Sequence, residues 1–233
     1  MEQNDFRRRV PILDHLPCLR RLRLVSCLLI VSHNPAHAEL NIIPPFEVTP
    51  EIVAMRGCIE GVAHPSELDL TTEAQLAACD DHVTLAEDRI GAVGIRGLTL
   101  YDIGTTDDHR AQAFTDFTEV IEARGDASPS VYANRAFVTF KRKNRLDLSR
   151  SELDLALADI TRAIEIIEAT AARPRPYYFE RRAMIYGTLF EKRGDRDYIV
   201  RAIADMDHIL TLQPDSPRTR WMKAIFVKYL PEG

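Results

Sequence analysis

Between Ser66 and Leu230 the apolar residues recur at helical spacing. In Ala156–Glu168 they fall at Ala156, Ile160, Ala163, Ile164 and Ile167, steps of 4, 3, 1 and 3 that form one stripe on a helix. Ile199, Ala202, Ile203, Met206, Ile209 and Leu210 make a second stripe of this kind. Ala113, Phe117, Val120 and Ile121 make a third. No alternating β-branched run bounded by Asn-Gly or Asp-Gly interrupts them. The pattern predicts an all-α chain.

The stripes belong to a repeat. Arg followed by a small residue occurs at Arg96–Gly97, Arg135–Ala136 and Arg182–Ala183, steps of 39 and 47 residues, and Lys223–Ala224 follows 41 residues later as a degenerate copy. Each of the first three is answered by an Ala-x-x-Asp element: Ala113/Asp116, Ala156/Asp159 and Ala202/Asp205. Periods of this size point to stacked supersecondary units. Small residues at facing positions let two helix axes approach closely. A mid-helix Gly97 costs about 1 kcal/mol against alanine, so it needs such a packing reason. Pro129, Pro174, Pro176, Pro214 and Pro217 mark the seams, where proline is tolerated at a helix start. The Arg-to-Asp offsets of 20, 24 and 23 residues predict three ion pairs within the units: Arg96–Asp116, Arg135–Asp159 and Arg182–Asp205.

These positions closely resemble the tetratricopeptide repeat family. Ala183, Ala202, Met206, Ile209 and Pro214 match the family's small, aliphatic and proline positions. Ala136, Ala156, Ile160 and Ala163 match in the preceding unit, and Gly97, Ala113, Phe117 and Val120 in the one before. The resemblance implies a right-handed α-solenoid of antiparallel helix pairs over residues 66–230, about three units with a half-repeat at each end. Gln75–Glu87 forms the leading half, with Cys79 where Ile160 stands. Arg218–Leu230 forms the closing half, with Trp221, Ile225 and Leu230 covering the end of the core. All three units exceed the family length between their helices, through the polar stretches Thr105–Arg110, Lys141–Ser151 and Glu191–Tyr198. These read as longer turns or extended helix ends, Thr105–Arg110 and the basic run Lys141–Arg145 as solvated turns.

The N-terminus has a different character. Arg7–Arg9, Arg20, Arg21 and Arg23 precede the apolar run Leu24–Val31, and Ala36-His37-Ala38 follows. A basic region, an apolar stretch and an A-x-A site make a secretory signal peptide over residues 1–38, cleaved after Ala38. The alternatives are an uncleaved anchor, a disordered cytosolic tail, or a lipobox-like site at Leu24-Val25-Ser26-Cys27; the run is too short for a membrane-spanning helix. Residues 39–65 read as an irregular segment joined to the repeat domain. The expected location is periplasmic or secreted, with no stable membrane span after processing.

Removing the leader changes the charge and the cysteine count. The remainder holds 24 basic and 32 acidic residues, a formal charge of −8. An acidic domain with no basic face is a poor nucleic-acid binder. Of four cysteines, Cys58 and Cys79 remain, and two cysteines in an exported domain favour one structural disulfide. Two buried thiols or a redox couple are the alternatives, though no C-x-x-C motif supports redox work.

Recognisable chemistry is missing from the sequence. His64, His82, His109 and His208 are scattered, and no H-E-x-x-H, P-loop, G-x-S-x-G or dinucleotide fingerprint occurs. The expectation is no catalytic residues, no metal and no cofactor, hence no enzyme. The family resemblance instead implies a groove lined by the first helix of each pair, binding a peptide or helix of another protein. Carried over by position, its residues are Tyr101, Asn134, Phe137, Phe140, Tyr177 and Met184, with Phe137 and Phe140 equally readable as core. The family's carboxylate clamp has no counterpart here. The sequence therefore reads as an envelope scaffold or adaptor. The competing readings are a self-assembling repeat protein, or an enzyme with a site built from distant residues.

Overall fold

A computed structural model describes residues 48–60, 71–125, 127–142, 147–170 and 172–230. The expected signal peptide, its cleavage site and most of the basic run 141–145 lie outside these residues. The described residues belong to one compact unit. They form nine α-helices and no strand: α1 (Pro50–Glu60), α2 (Thr72–Leu85), α3 (Arg89–Ile103), α4 (Asp107–Arg124), α5 (Pro129–Arg142), α6 (Arg150–Ala169), α7 (Pro176–Arg193), α8 (Asp197–Leu212) and α9 (Pro217–Val227).

Local signals set the boundaries. Thr71, Asp88, Thr106 and Ser216 accept backbone N–H groups at the N-termini of α2, α3, α4 and α9. Ser149 and Glu152 form a full capping box on α6. Pro176 and Pro217 occupy first-turn positions, where the missing N–H costs nothing. Gly194 ends α7 at φ 69°, a left-handed conformation that favours glycine.

Each helix packs against the next in sequence. Within α3–α4 the contacts run in opposite directions: Asp88 meets Arg124, Arg96 meets Asp116, and Gly104 meets His109. The pair is antiparallel. The α7–α8 contacts Phe179–His208, Arg182–Asp205 and Tyr186–Tyr198 show the same arrangement. By contrast α7 and α9 run parallel, since Glu180 meets Arg218, Gly187 meets Phe226 and Phe190 meets Tyr229. First helices thus lie beside first helices. α1 also packs on α3, and α3 on α5.

The small residues sit where the helices cross. Ala136, Ala156, Ala183 and Ala202 are fully buried. A Cβ on Gly97 would lie 3.0 Å from Asp116 Cβ and 3.2 Å from Phe117 Cε1, so α3 and α4 approach too closely for a side chain. Leu153, Ile160, Leu189, Ile199 and Met206 fill the space between pairs.

Three expectations need correction. Residues 39–65 are not wholly irregular: Pro50–Glu60 is helix α1, packed against α2, so the leading half-repeat has a partner. Arg56–Gly57 stands 40 residues before Arg96–Gly97, and Gly57 is buried. Thr105–Arg110 is not a solvated turn, because Thr106 caps α4 and Asp107–Arg110 make its first turn. Trp221 does not cover the end of the core; it is 65% exposed, and Thr219 and Met222 are buried instead.

Candidate functional site: locks between layers and an aromatic face

The arginine of each repeat step ties two helices together. Arg96 donates through Nε and Nη2 to Asp116 at 2.9 and 2.7 Å. Arg135 makes the same fork to Asp159 at 2.7 and 2.7 Å, and Arg182 to Asp205 at 2.9 and 2.7 Å. The three expected ion pairs are present, each bidentate, which is the strongest geometry available to guanidinium and carboxylate. The aspartates are buried, at 1%, 4% and 4% exposure. Two of the arginines also reach back to the preceding second helix. Arg96 Nη1 donates to Asp80 at 2.9 Å, and Arg135 Nη1 to Thr118 at 3.3 Å. Burial pushes the Asp159 and Asp205 carboxyls above their ordinary value, against the pull of the facing guanidinium. Each pair spends two guanidinium donors on holding one helix to the next.

The expected groove residues fall into two groups on the first helices. Phe137 lies 5.9 Å from Tyr177 and 6.3 Å from Tyr178, ring to ring, and the exposed Arg181 stacks over Phe137 at 5.2 Å. Tyr101, on α3, packs against the same cluster. Burial lifts its phenol above the ordinary value, and the Arg181 charge pulls against this. α3, α5 and α7 therefore contribute to one patch. Phe140 and Asn134 are half-buried, and Phe140 packs on the core. Phe137 is 7% exposed, so it supports the patch from beneath. Tyr177, 43% exposed, and Arg181 present the accessible surface.

Met184 belongs to the second group. With Gly187 and Phe190 of α7, Ile199 of α8, and Trp221 and Phe226 of α9 it lines a cleft of about 370 Å³. The two groups share a register. Leu98, Phe137, Met184 and Ile225 each directly follow the small residue of their helix. By sequence register these positions form one apolar stripe over the first helices, and Met184 and Ile225 meet in the cleft between α7 and α9. Sequence reasoning missed Trp221, Phe226 and Ile225 as part of this stripe. The signal for Ile225 is its one-residue offset from Ala224.

His82, at 3% exposure on α2, is the buried titratable group nearest the N-terminal end. Burial lowers its pKa below 6.5, and Glu51 on α1 opposes this. The native state therefore binds this proton less readily than the unfolded chain. Stability is full above 6.5 and is lost as pH falls from 6.5 to the folded value. One proton gives a slope of at most about 1.4 kcal/mol per pH unit. Urea unfolding across that window should show the slope in the parent protein and lose it in His82→Phe; an unchanged slope would assign it elsewhere.

Among the described residues no three His, Cys, Asp or Glu side chains gather as a metal site, and no helix is long and apolar enough to cross a membrane. Cys58 and Cys79 are joined as a disulfide, Sγ–Sγ 2.04 Å, holding α1 to α2. Compared with protein-family models, curated proteins and solved structures, the chain matches none.

Proposed function

We propose that this chain is an exported tetratricopeptide-like solenoid of the bacterial envelope, and that it holds a peptide or amphipathic helix of another protein on its first-helix layer. In this reading α1–α2, α3–α4, α5–α6 and α7–α8 are four right-handed-stacked pairs, and α9 closes the stack. The observation that carries it is the exposed Tyr177 and Arg181 set over Phe137 between α5 and α7, with an apolar cleft of Met184, Trp221 and Phe226 between α7 and α9. An exposed tryptophan and tyrosine at 65% and 43% are a large apolar area for a solvated face. Aromatic residues and arginine dominate binding hot spots. A rigid stack lowers the ordering cost of capture, and spaced pockets accept an extended segment or helix. The Cys58–Cys79 bridge supports an oxidising compartment.

The test is capture from envelope extract with the chain from residue 39 onward, followed by affinity measurement with the retained partner. Tyr177→Ala with Arg181→Glu should weaken binding about tenfold or more. Its thermal midpoint should stay near that of the parent, because both side chains are exposed. Equal retention by the parent and by a folded variant, or no retention by either, would end this reading.

A further inference from the structure

The fourth small step, Lys223–Ala224, is built like the other first helices on one side only. Arg96 reaches back 16 residues to Asp80 on the preceding second helix, and forward to Asp116 on its own. Lys223 also reaches back 16 residues, to Asp207 on α8. Among the described residues, it meets no forward carboxylate. The small residue tells the same story. Gly97, Ala136 and Ala183 are buried beneath their second helices, whereas Ala224 is exposed. Three residues on, Tyr186 of α7 is 7% exposed and stacks on Tyr198 of α8, but its counterpart on α9, Val227, is 46% exposed.

We infer that this face of α9 is a docking site for a helix of another polypeptide, one that carries Ala-x-x-Asp on its apolar side. The occupant's chemistry is read from the chain itself, which fills the equivalent face with such a helix at Ala113/Asp116, Ala156/Asp159 and Ala202/Asp205. The alanine permits close approach to Ala224, and the aspartate supplies the forward carboxylate to Lys223, which is 34% exposed. A second copy of this chain is a poorer occupant, because its own Ala-x-x-Asp helices α2, α4, α6 and α8 are already packed against their neighbours. Residues 1–47 contain no Ala-x-x-Asp sequence. Ala224 lies across α9 from Met222 and Phe226, which pack on the core, and one turn from Trp221, so the site borders the α9 end of the proposed groove.

The probe is a fluorescent synthetic peptide of residues 149–170, which carries Ala156 and Asp159, titrated with the full chain while its anisotropy is followed. Saturable binding is expected. Lys223→Glu should weaken it about tenfold, and a peptide with Asp159→Lys should restore it. Ala224→Arg should abolish it, while Tyr177→Ala with Arg181→Glu leaves it unchanged. Circular dichroism of each variant verifies the fold. No binding, binding indifferent to both Lys223→Glu and Ala224→Arg, or loss in the groove variant alone would overturn the assignment. So would a dimer in light scattering that Ala224→Arg converts to monomer, since a second copy would then hold the face.

Discussion

Asp159→Ala should lower the unfolding free energy by about 3–5 kcal/mol, the usual cost of stranding one member of a buried ion pair. The carboxylate is 4% exposed, and it takes two of the guanidinium's donor positions. Without it Arg135 keeps, among the described residues, the Thr118 hydroxyl at 3.3 Å and the Phe114 ring at 5.9 Å. Asp116→Ala should cost less, because Arg96 retains Asp80 at 2.9 Å on a side facing water. Replacing both partners, as Arg135→Met with Asp159→Leu, should recover most of the loss.

The pKa direction supports that last expectation. Burial holds the Asp159 carboxyl above its ordinary 3.8, so the folded state prefers the protonated form more than the unfolded chain does. That preference is fully expressed at low pH and is lost as pH rises from 3.8 through the folded value. At neutral pH the chain therefore carries the desolvation cost, which an apolar pair would not. Urea midpoints of the three variants give the order directly. A loss under 1 kcal/mol for Asp159→Ala, or equal losses for Asp159→Ala and Asp116→Ala, would contradict the lock described for Arg135.

What these pairs contribute instead is register. Each fork fixes one point on a first helix against one point on the second, and the small residue beside it sets their separation. This was legible in the sequence because charge, size and spacing all repeat together. Three independent signals rarely coincide by chance. Where only one signal operated, reading failed. In α1 the run Ile52-Val53-Ala54-Met55 is apolar on every side, so it shows no stripe, and Gly57 counts against a helix. The Arg56–Gly57 step was present, but its arginine pairs with Glu60 four residues on and not with an aspartate of α2. Trp221 failed for a different reason. Periodicity identifies an apolar stripe, but not which neighbour covers it, and among the described residues α9 packs mainly on α8. Phe137 and Tyr177 were both legible as aromatic, yet burial divides them into support and surface. That division depends on how α5 and α7 lie together, which no local pattern encodes.

Reducing the Cys58–Cys79 bridge should cost about 3 kcal/mol, the chain-entropy value for a loop of roughly 20 residues, and the loss should stay at one end. Both cysteines are fully buried between α1 and α2. The Cys58 carbonyl accepts from Gln75 Nε2 at 2.9 Å and from Thr99 Oγ1 at 3.3 Å, so the bridged turn is also seated on α3. Among the described residues, the main packing of α1 is on α2 and α3. In a stack where each element touches near neighbours, destabilisation spreads weakly along the chain. Hydrogen exchange of the Cys58→Ala, Cys79→Ala chain should therefore show protection lost over 50–60 and 72–85, and retained over α5 to α8. A uniform loss across all helices would mean that the unit unfolds as one body, and no loss anywhere would mean that packing alone holds α1. Only the localised result is consistent with a first-helix layer whose α5, α7 and α9 surfaces remain formed and able to bind after the N-terminal pair has come loose.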